Sequence, residues 1–244
     1  MIDTHCHCLY GVDDASEDID TSIEMLREAY EDGITKIICT PHSLPGGKYP
    51  NDYEALQLPF NQLKKAIQEL GIEIDLYLGS ETFFSPLTIA WGKAGKLVSL
   101  NQTSRILLEF PWYEIDFNFD PLLAIKQMKE LGYQIIVAHP ERYPFIHKDY
   151  SYMKELRALG CHFQVNSTSL MYPEDRNYEL AWKIVEDGFV DVIASDAHRP
   201  HSKRSIILSG CHKLIMGKYG TEEANRLFIE NPQALIDGGE LKIK

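Results

Sequence analysis

The sequence predicts an α/β protein, a distorted TIM-like barrel of about seven parallel strands. Short β-branched runs alternate with longer amphipathic segments throughout the 244 residues, so the element order is βαβα. Helix-glycine-strand joints recur, as at Leu131-Gly132, Leu159-Gly160 and Asp187-Gly188, and such joints favour parallel strands in one sheet. Imidazoles and carboxylates stand at the ends of the apolar runs, and they converge naturally only if the sheet closes, with its strand ends forming one rim.

The first strand covers residues 1–5 and closes on His5 and His7. A helix near residues 18–32 follows, with Ile23, Leu26, Ala29 and Tyr30 at helical spacing and Gly33 as its stop. Lys36-Ile37-Ile38-Cys39 marks the second strand, near residues 35–40, and His42 follows it. A Pro/Gly-rich loop from Ser43 to Asp52 leads into a helix near 53–70, then a strand near 73–79 that runs out at Glu81. After a helix near 86–94, Ile106-Leu107-Leu108 forms the strand near 104–109 that ends in Glu109. The aromatic segment 110–119 comes next and should overhang the rim, as should the loop after His42.

A helix near 121–131 precedes the strand 134–138, which delivers His139. A helix near 150–159 precedes the strand 162–166, and a helix near 177–187 precedes the strand 190–194, which delivers Asp196 and His198. Helices near 203–217 and 222–229 complete the chain. Seven strands are one short of the usual eight, hence a distorted or incomplete barrel, with an open doubly wound sheet as the alternative architecture. No repeat or low-complexity linker divides the chain, and residues 1–244 read as one domain.

Composition fits an enzyme of the cytoplasm. The formal net charge of −12 argues against a broad nucleic-acid or anionic-membrane surface, which demands clustered Lys and Arg. It leaves an anionic substrate open, because bound divalent cations would more than neutralise the local carboxylates. No signal peptide opens the sequence, and no apolar stretch reaches the roughly 20 residues of a membrane span. Five cysteines, an odd number, read as free thiols.

In an extended chain alternate residues share a face, so His5 and His7 form a two-nitrogen claw while Cys6 and Cys8 point away. Asp13, Ser16 and Glu17 lie near a helix start, where capping accounts for them, and Asp14 is the preferred ligand of that stretch. Glu81 and Glu109 each end an apolar strand, and a buried acid calls for a partner, of which a cation is the simplest. Taken singly, His42, His139, Asp196 or His198 could be an ordinary polar residue of a rim. Nine such residues along one chain point instead to a polynuclear site for Mn²⁺, Fe²⁺ or Zn²⁺, since no thiolate joins the set.

At His5-Cys-His7, His42, Glu81, Glu109, His139-Pro-Glu-Arg142 and Ser195-Asp-Ala-His198 the chain resembles the polymerase and histidinol phosphatase (PHP) superfamily. It looks closest to the bacterial PHP-type protein-tyrosine phosphatases of capsular and extracellular polysaccharide synthesis, and the likeness runs almost end to end. The resemblance implies a PHP-fold barrel with two to three divalent cations, Mn²⁺ before Fe²⁺ or Zn²⁺. His5, His7, Glu81 and Asp196 would hold one cation; Glu81 would bridge to a second held by Glu109 and His139; Asp14, His42 and His198 would hold the third. This subgroup usually shows Asp-Asp-Gly where the chain has Asp13-Asp14-Ala15. The resemblance further implies phosphate contacts by Arg142 and by a second arginine, Arg204 in preference to Arg199. Its implied substrate is a phosphotyrosine protein, such as the tail of a bacterial tyrosine kinase.

The implied chemistry is attack on phosphorus by a metal-activated hydroxide without a phosphoenzyme. A cysteine mechanism needs Cys-x5-Arg, and the sixth positions after the five cysteines hold Val12, Asp14, Pro45, Ser167 and Gly217 instead. The aromatic stretch Trp112, Tyr113, Phe117 and Phe119 would either embrace a phosphotyrosine ring or plug the barrel. Competing readings are a PHP phosphatase for a small metabolite such as histidinol phosphate, a TatD-like nuclease, an amidohydrolase, and a catalytically silent binding module.

Overall fold

A computed structural model of the chain describes residues 1–111 and 119–244. Among these, the strands are β1 (Ile2–Cys6), β2 (Lys36–Cys39), β3 (His42–Ser43), β4 (Asp75–Leu78), β5 (Glu81–Phe83), β6 (Arg105–Glu109), β7 (Gln134–Ala138), β8 (His162–Asn166) and β9 (Val192–Ala194). Every pairing between them is parallel, in the orders β1-β2-β4 and β3-β5-β6-β7-β8-β9.

The two sheets are one interrupted surface. β2 and β3 are separated only by Thr40-Pro41, where proline has no N–H to give the ladder, and β4 and β5 only by Gly79-Ser80. Across that break Gly79 N–H donates to Cys39 O at 2.9 Å and Glu81 N–H to Pro41 O at 3.1 Å. The nine segments therefore occupy the seven strand positions that the sequence predicts. At the other seam, Asp196 N–H donates to His5 O at 2.8 Å and His7 N–H to Ala197 O at 2.9 Å. The buried Asp3 carboxylate adds a bond from Ser195 N–H at 3.1 Å. These contacts lay the end of β9 against β1, which is the barrel geometry rather than an open doubly wound sheet.

The helices fall where apolar periodicity and caps place them. Asp18 caps Ile19–Glu31, Asp52 caps Tyr53–Glu69, and Asp120 caps Pro121–Glu130, each carboxylate accepting a first-turn N–H. Gly33 (φ +82°) and Gly132 (φ +88°) take the left-handed turn that returns the chain to a strand. The helix expected near 203–217 begins only at Ser209, because the Asp32 carboxylate accepts the N–H groups of Leu208 and Ser209 and fixes the start there. The helical segment expected to end near 229 runs on through Asn231–Asp237, and the wide π turn Arg226–Glu230 comes just before Pro232, which has no N–H to give. Two short helices, Pro144–Lys148 and Ser167–Met171, were not evident from periodicity.

Burial separates two layers. Met25, Ile37, Leu63, Ile135 and Phe163 belong to the large cluster between strands and helices. Ile2, Ile38, Leu107, Ile136 and Val192 form a smaller one inside the barrel, closed below by Leu235 and Ile236. The strand alternation that points Leu107 inward also points Glu109 inward, nearer the rim. The apolar plug thus ends where the polar side chains begin.

Candidate metal centre

The site is assembled at the carboxyl ends of the strands. His5 and His7 leave β1 where its pairing with β2 shifts register, between Asp3 and Cys6. Their Nε2 atoms stand 3.1 Å apart in a fully buried setting. The far nitrogens are anchored: His5 Nδ1 lies 2.9 Å from Gln164 Oε1, and His7 Nδ1 lies 2.9 Å from Asp13 Oδ2.

Glu81, at the start of β5, is the hub. Its Oε1 lies 2.8 Å from His139 Nε2 and 3.4 Å from His5 Nε2; its Oε2 lies 3.0 Å from His42 Nδ1 and 3.3 Å from His7 Nε2. Glu109 completes this side, 3.7 Å from His139 Nε2 and 3.9 Å from His42 Nδ1. Asp196 Oδ1 lies 3.5 Å from the Nε2 atoms of both His5 and His7. His139 and Asp196 have left-handed backbones, at φ +30° and +53°, a conformation uncommon for residues other than glycine.

The third group faces solvent. His42 Nε2 lies 3.6 Å from the exposed Asp14 carboxylate, and the His7 ring centroid is 4.4 Å from that of His42 and 3.9 Å from that of His198. Atoms that could ligate a metal cluster as His5-His7-Glu81, His42-Glu81-Glu109 and His7-His42-His198, each set within 4.8 Å. All nine residues singled out in the sequence as ligands therefore converge on one rim.

Two arginines hold Asp196 from the open side. Arg142 Nη1 donates to its Oδ2 at 2.9 Å, and Arg204 Nη2 to its Oδ1 at 2.9 Å while lying 3.2 Å from His198 Nε2. Arg199 turns away, onto the backbone carbonyls of Asp14 and Ala15. Of Arg199 and Arg204, only Arg204 contacts Asp196. The aromatic stretch falls on residues 112–118, outside the described residues, except for Phe119, which packs on Phe84 and Phe110 with centroids 5.7 and 5.4 Å away.

The donor set fits divalent cations. Two donor atoms bound to one cation at about 2.1 Å are separated by roughly 3.0–3.4 Å, the spacing found around Glu81. Glu81 Oε2 is buried without an aligned hydrogen-bond donor, although ring nitrogens surround it. Charge leads to the same conclusion. Burial, and then the neighbouring Glu81, push the Glu109 carboxyl up to about 8, so the cluster does not readily hold all its acids ionised. Burial opposes charge on Asp196 too, but Arg204 and then His5 keep its carboxyl well below the usual range. A cation would supply the missing positive charge.

Three contributors were not recognised in the sequence. Asp13, read there as a helix-capping residue, points inward to His7 and also accepts the backbone N–H of His42 at 3.0 Å, while Asp18 does the capping. Gln164 and Asn166 come from β8, the one strand for which no ligand was expected. Gln164 Nε2 donates to Asn166 Oδ1 at 2.8 Å, and Asn166 Nδ2 donates to Asp196 Oδ2 at 2.9 Å. Their signal was present: in His162-Phe-Gln-Val-Asn166 the two amides share the alternating face opposite Phe163 and Val165.

Residues 1–237 match the family described as capsular polysaccharide synthesis, CpsB/CapC. The chain belongs to that family. It is 34% identical over 200 residues to the tyrosine-protein phosphatase YwqE of Bacillus subtilis, covering 81% of this chain and 77% of YwqE. It is 27% identical over 246 residues to the tyrosine-protein phosphatase CpsB of Streptococcus agalactiae, covering 97% and 98% of the two. A crystal structure from work on B. subtilis YwqE and Streptococcus pneumoniae CpsB, described as unique metal-dependent tyrosine phosphatases, superposes with a TM-score of 0.91 at 29% identity, covering 100% of this chain and 97% of that one. A histidinol phosphate phosphatase of Lactococcus lactis, at a TM-score of 0.55 and 14% identity over 93% and 94% of the chains, shares the fold.

Proposed function

We propose that this chain is a metal-dependent protein-tyrosine phosphatase that uses two to three divalent cations, Mn²⁺ foremost, with Fe²⁺ or Zn²⁺ as alternatives. The observation that carries the reading is the Glu81 carboxylate, which has ring nitrogens of four histidines within 2.8–3.4 Å, beside an Asp196 gripped by two arginines. Family membership and the tyrosine-phosphatase relatives support it.

In this reading His5, His7, Glu81 and Asp196 would hold one cation, Glu81, Glu109 and His139 a second, and Asp14, His42 and His198 a third. When bound, the cations supply an acidified water as nucleophile and positive charge for the phosphoryl oxygens. The protein's part is placement. Gln164 and Asp13 fix the rings of His5 and His7, so that each Nε2 faces the centre. Arg142 and Arg204 lie at the open edge, where their guanidinium groups can turn from Asp196 to the phosphoryl oxygens and offset the charge of the transition state.

The thiols take no part: all five cysteines are buried, and Cys8 Sγ contacts Cys39 Sγ at 3.4 Å behind the claw. Among the described residues no helix is long and apolar enough to cross a membrane. We place the enzyme in the cytoplasm, acting on a phosphotyrosine protein such as the tail of a tyrosine kinase in capsular or extracellular polysaccharide synthesis. The test is metal analysis of purified protein together with hydrolysis of a phosphotyrosine peptide and of histidinol phosphate. Preference for histidinol phosphate would replace this reading with that of a small-metabolite phosphatase.

A further inference from the structure

A hollow of about 500 Å³ opens directly from the candidate centre, with Arg142, Asp196 and Arg204 on its inner wall and Arg176, Lys203 and Glu174 farther out. A second hollow of about 520 Å³ adjoins it, and Arg142 and Arg176 line both, with Lys148 and His147 on its other side. Arg176 is thus one of the residues shared by the two. It sits in the connection from the short helix Ser167–Met171 to the helix Tyr178–Glu186, the segment that follows β8.

The charges around these hollows are unusual for a chain with a net charge of −12. Of the acids on the first hollow, Asp196 is engaged by Arg142 and Arg204 at 2.9 Å each. Glu174 pairs with Lys203 at 3.6 Å, and Asp175 accepts the N–H of Asn177 at 2.7 Å. The exposed Arg176 has no carboxylate within ion-pair distance among the described residues. Cationic side chains outnumber acids on the first hollow, and the second is lined by Arg142, Arg176, Lys148 and His147 without an acid among the described residues, so an exposed guanidinium shared by both attracts a second anion on the same ligand.

We propose that Arg176 is the centre of an anion subsite that reads an acidic side chain flanking the phosphotyrosine of a polypeptide substrate. This rests on the phosphatase reading and adds a substrate preference to it: acidic sequence around the phosphotyrosine raises turnover at low substrate concentration.

The test uses the full chain loaded with Mn²⁺ and three phosphotyrosine peptides, one with glutamates before the phosphotyrosine, one with glutamates after it, and one with glutamines on both sides. For the native protein the better glutamate peptide exceeds the glutamine peptide in kcat/KM by about fivefold, a ratio that shrinks as salt is raised. In Arg176→Ala the ratio falls to near one, and in Arg176→Glu it drops below one. Because each ratio is taken within one variant, it is independent of the fraction of protein that folds. Equal hydrolysis of all three peptides by the native protein, or an unchanged ratio in Arg176→Glu, overturns the subsite while the phosphatase reading stands. Hydrolysis of none of the three overturns both.

Discussion

Asp13 Oδ2 stands 2.9 Å from His7 Nδ1, and the same oxygen accepts the backbone N–H of His42 at 3.0 Å. One carboxylate thus sets the ring of a proposed ligand and the entry of the chain into the next strand. A carboxylate on the far nitrogen fixes the tautomer that leaves Nε2 free for a cation and raises its basicity. Asp13→Ala is expected to weaken metal affinity by about 10- to 100-fold. A titration of apo protein with Mn²⁺, read by para-nitrophenyl phosphate hydrolysis, should show a displaced midpoint and recovery at excess metal. An unmoved midpoint would make Asp13 a turn residue only.

The same contact shows what the sequence could and could not tell. His5, His7, Glu81, Glu109, His139 and Asp196 were legible because each terminates an apolar run, and a parallel barrel gathers strand ends by construction. Asp13 was not legible, because an acid just before a helix is explained equally well by capping, and only the structure shows Asp18 at the cap. Gln164 and Asn166 were passed over because amides are not metal-type side chains, although their alternation in β8 is regular. The late start of the helix at Ser209 depends on the Asp32 carboxylate, more than 170 residues away in sequence, a contact no local pattern encodes.

Chelation should act on stability as well as on activity. Glu81, Glu109 and Asp196 are buried among four histidines, and without cations Glu109 meets the like charges of Glu81 and Asp196. Metal present at about a hundred times its dissociation constant stabilises the native state by ~2.7 kcal/mol, which for a chain of this size is roughly 5–10 °C in Tm. Treatment with a chelator should therefore abolish phosphatase activity and lower Tm by that order, and Mn²⁺ should restore both. An active, equally stable metal-free protein would exclude a metal centre.

Arg142 and Arg204 should behave as phosphate contacts rather than as structural pairs. Each donates to one oxygen of Asp196 at 2.9 Å, and neither is buried in the core. Arg142→Ala and Arg204→Ala are each expected to lower kcat/KM by about 100-fold and to weaken inhibition by inorganic phosphate. Arg199→Ala, which removes contacts to the carbonyls of Asp14 and Ala15 and a 3.9 Å ion pair to Glu17, should lose less than either. Unchanged phosphate inhibition in Arg142→Ala would take that residue out of the site.

The metal and thiol mechanisms separate cleanly by substitution. Asp196→Ala and His5→Ala should abolish para-nitrophenyl phosphate hydrolysis while circular dichroism shows the fold retained. Cys39→Ser should stay active, since its thiol is buried against Cys8 and has no arginine loop around it. An active Asp196→Ala enzyme would defeat the proposed ligand assignment.

Tyr143 ties together two of the strand ends that carry the site. Its fully buried hydroxyl donates to Ala138 O at 2.8 Å and accepts from Phe110 N–H at 3.0 Å. Ala138 immediately precedes His139, and Phe110 immediately follows Glu109. Tyr143→Phe keeps the ring, which stacks on Phe145 at an interplanar angle of 6°, and removes only the oxygen. That leaves a buried N–H without its acceptor, at a cost of about 1–3 kcal/mol. The expected result is a Tm lowered by ~2–4 °C per kcal/mol, accompanied by weaker metal binding as Glu109 and His139 lose their common brace. Chemical denaturation of the apo and Mn²⁺-loaded forms separates the two effects: a loss of equal size in both would assign Tyr143 to the core alone.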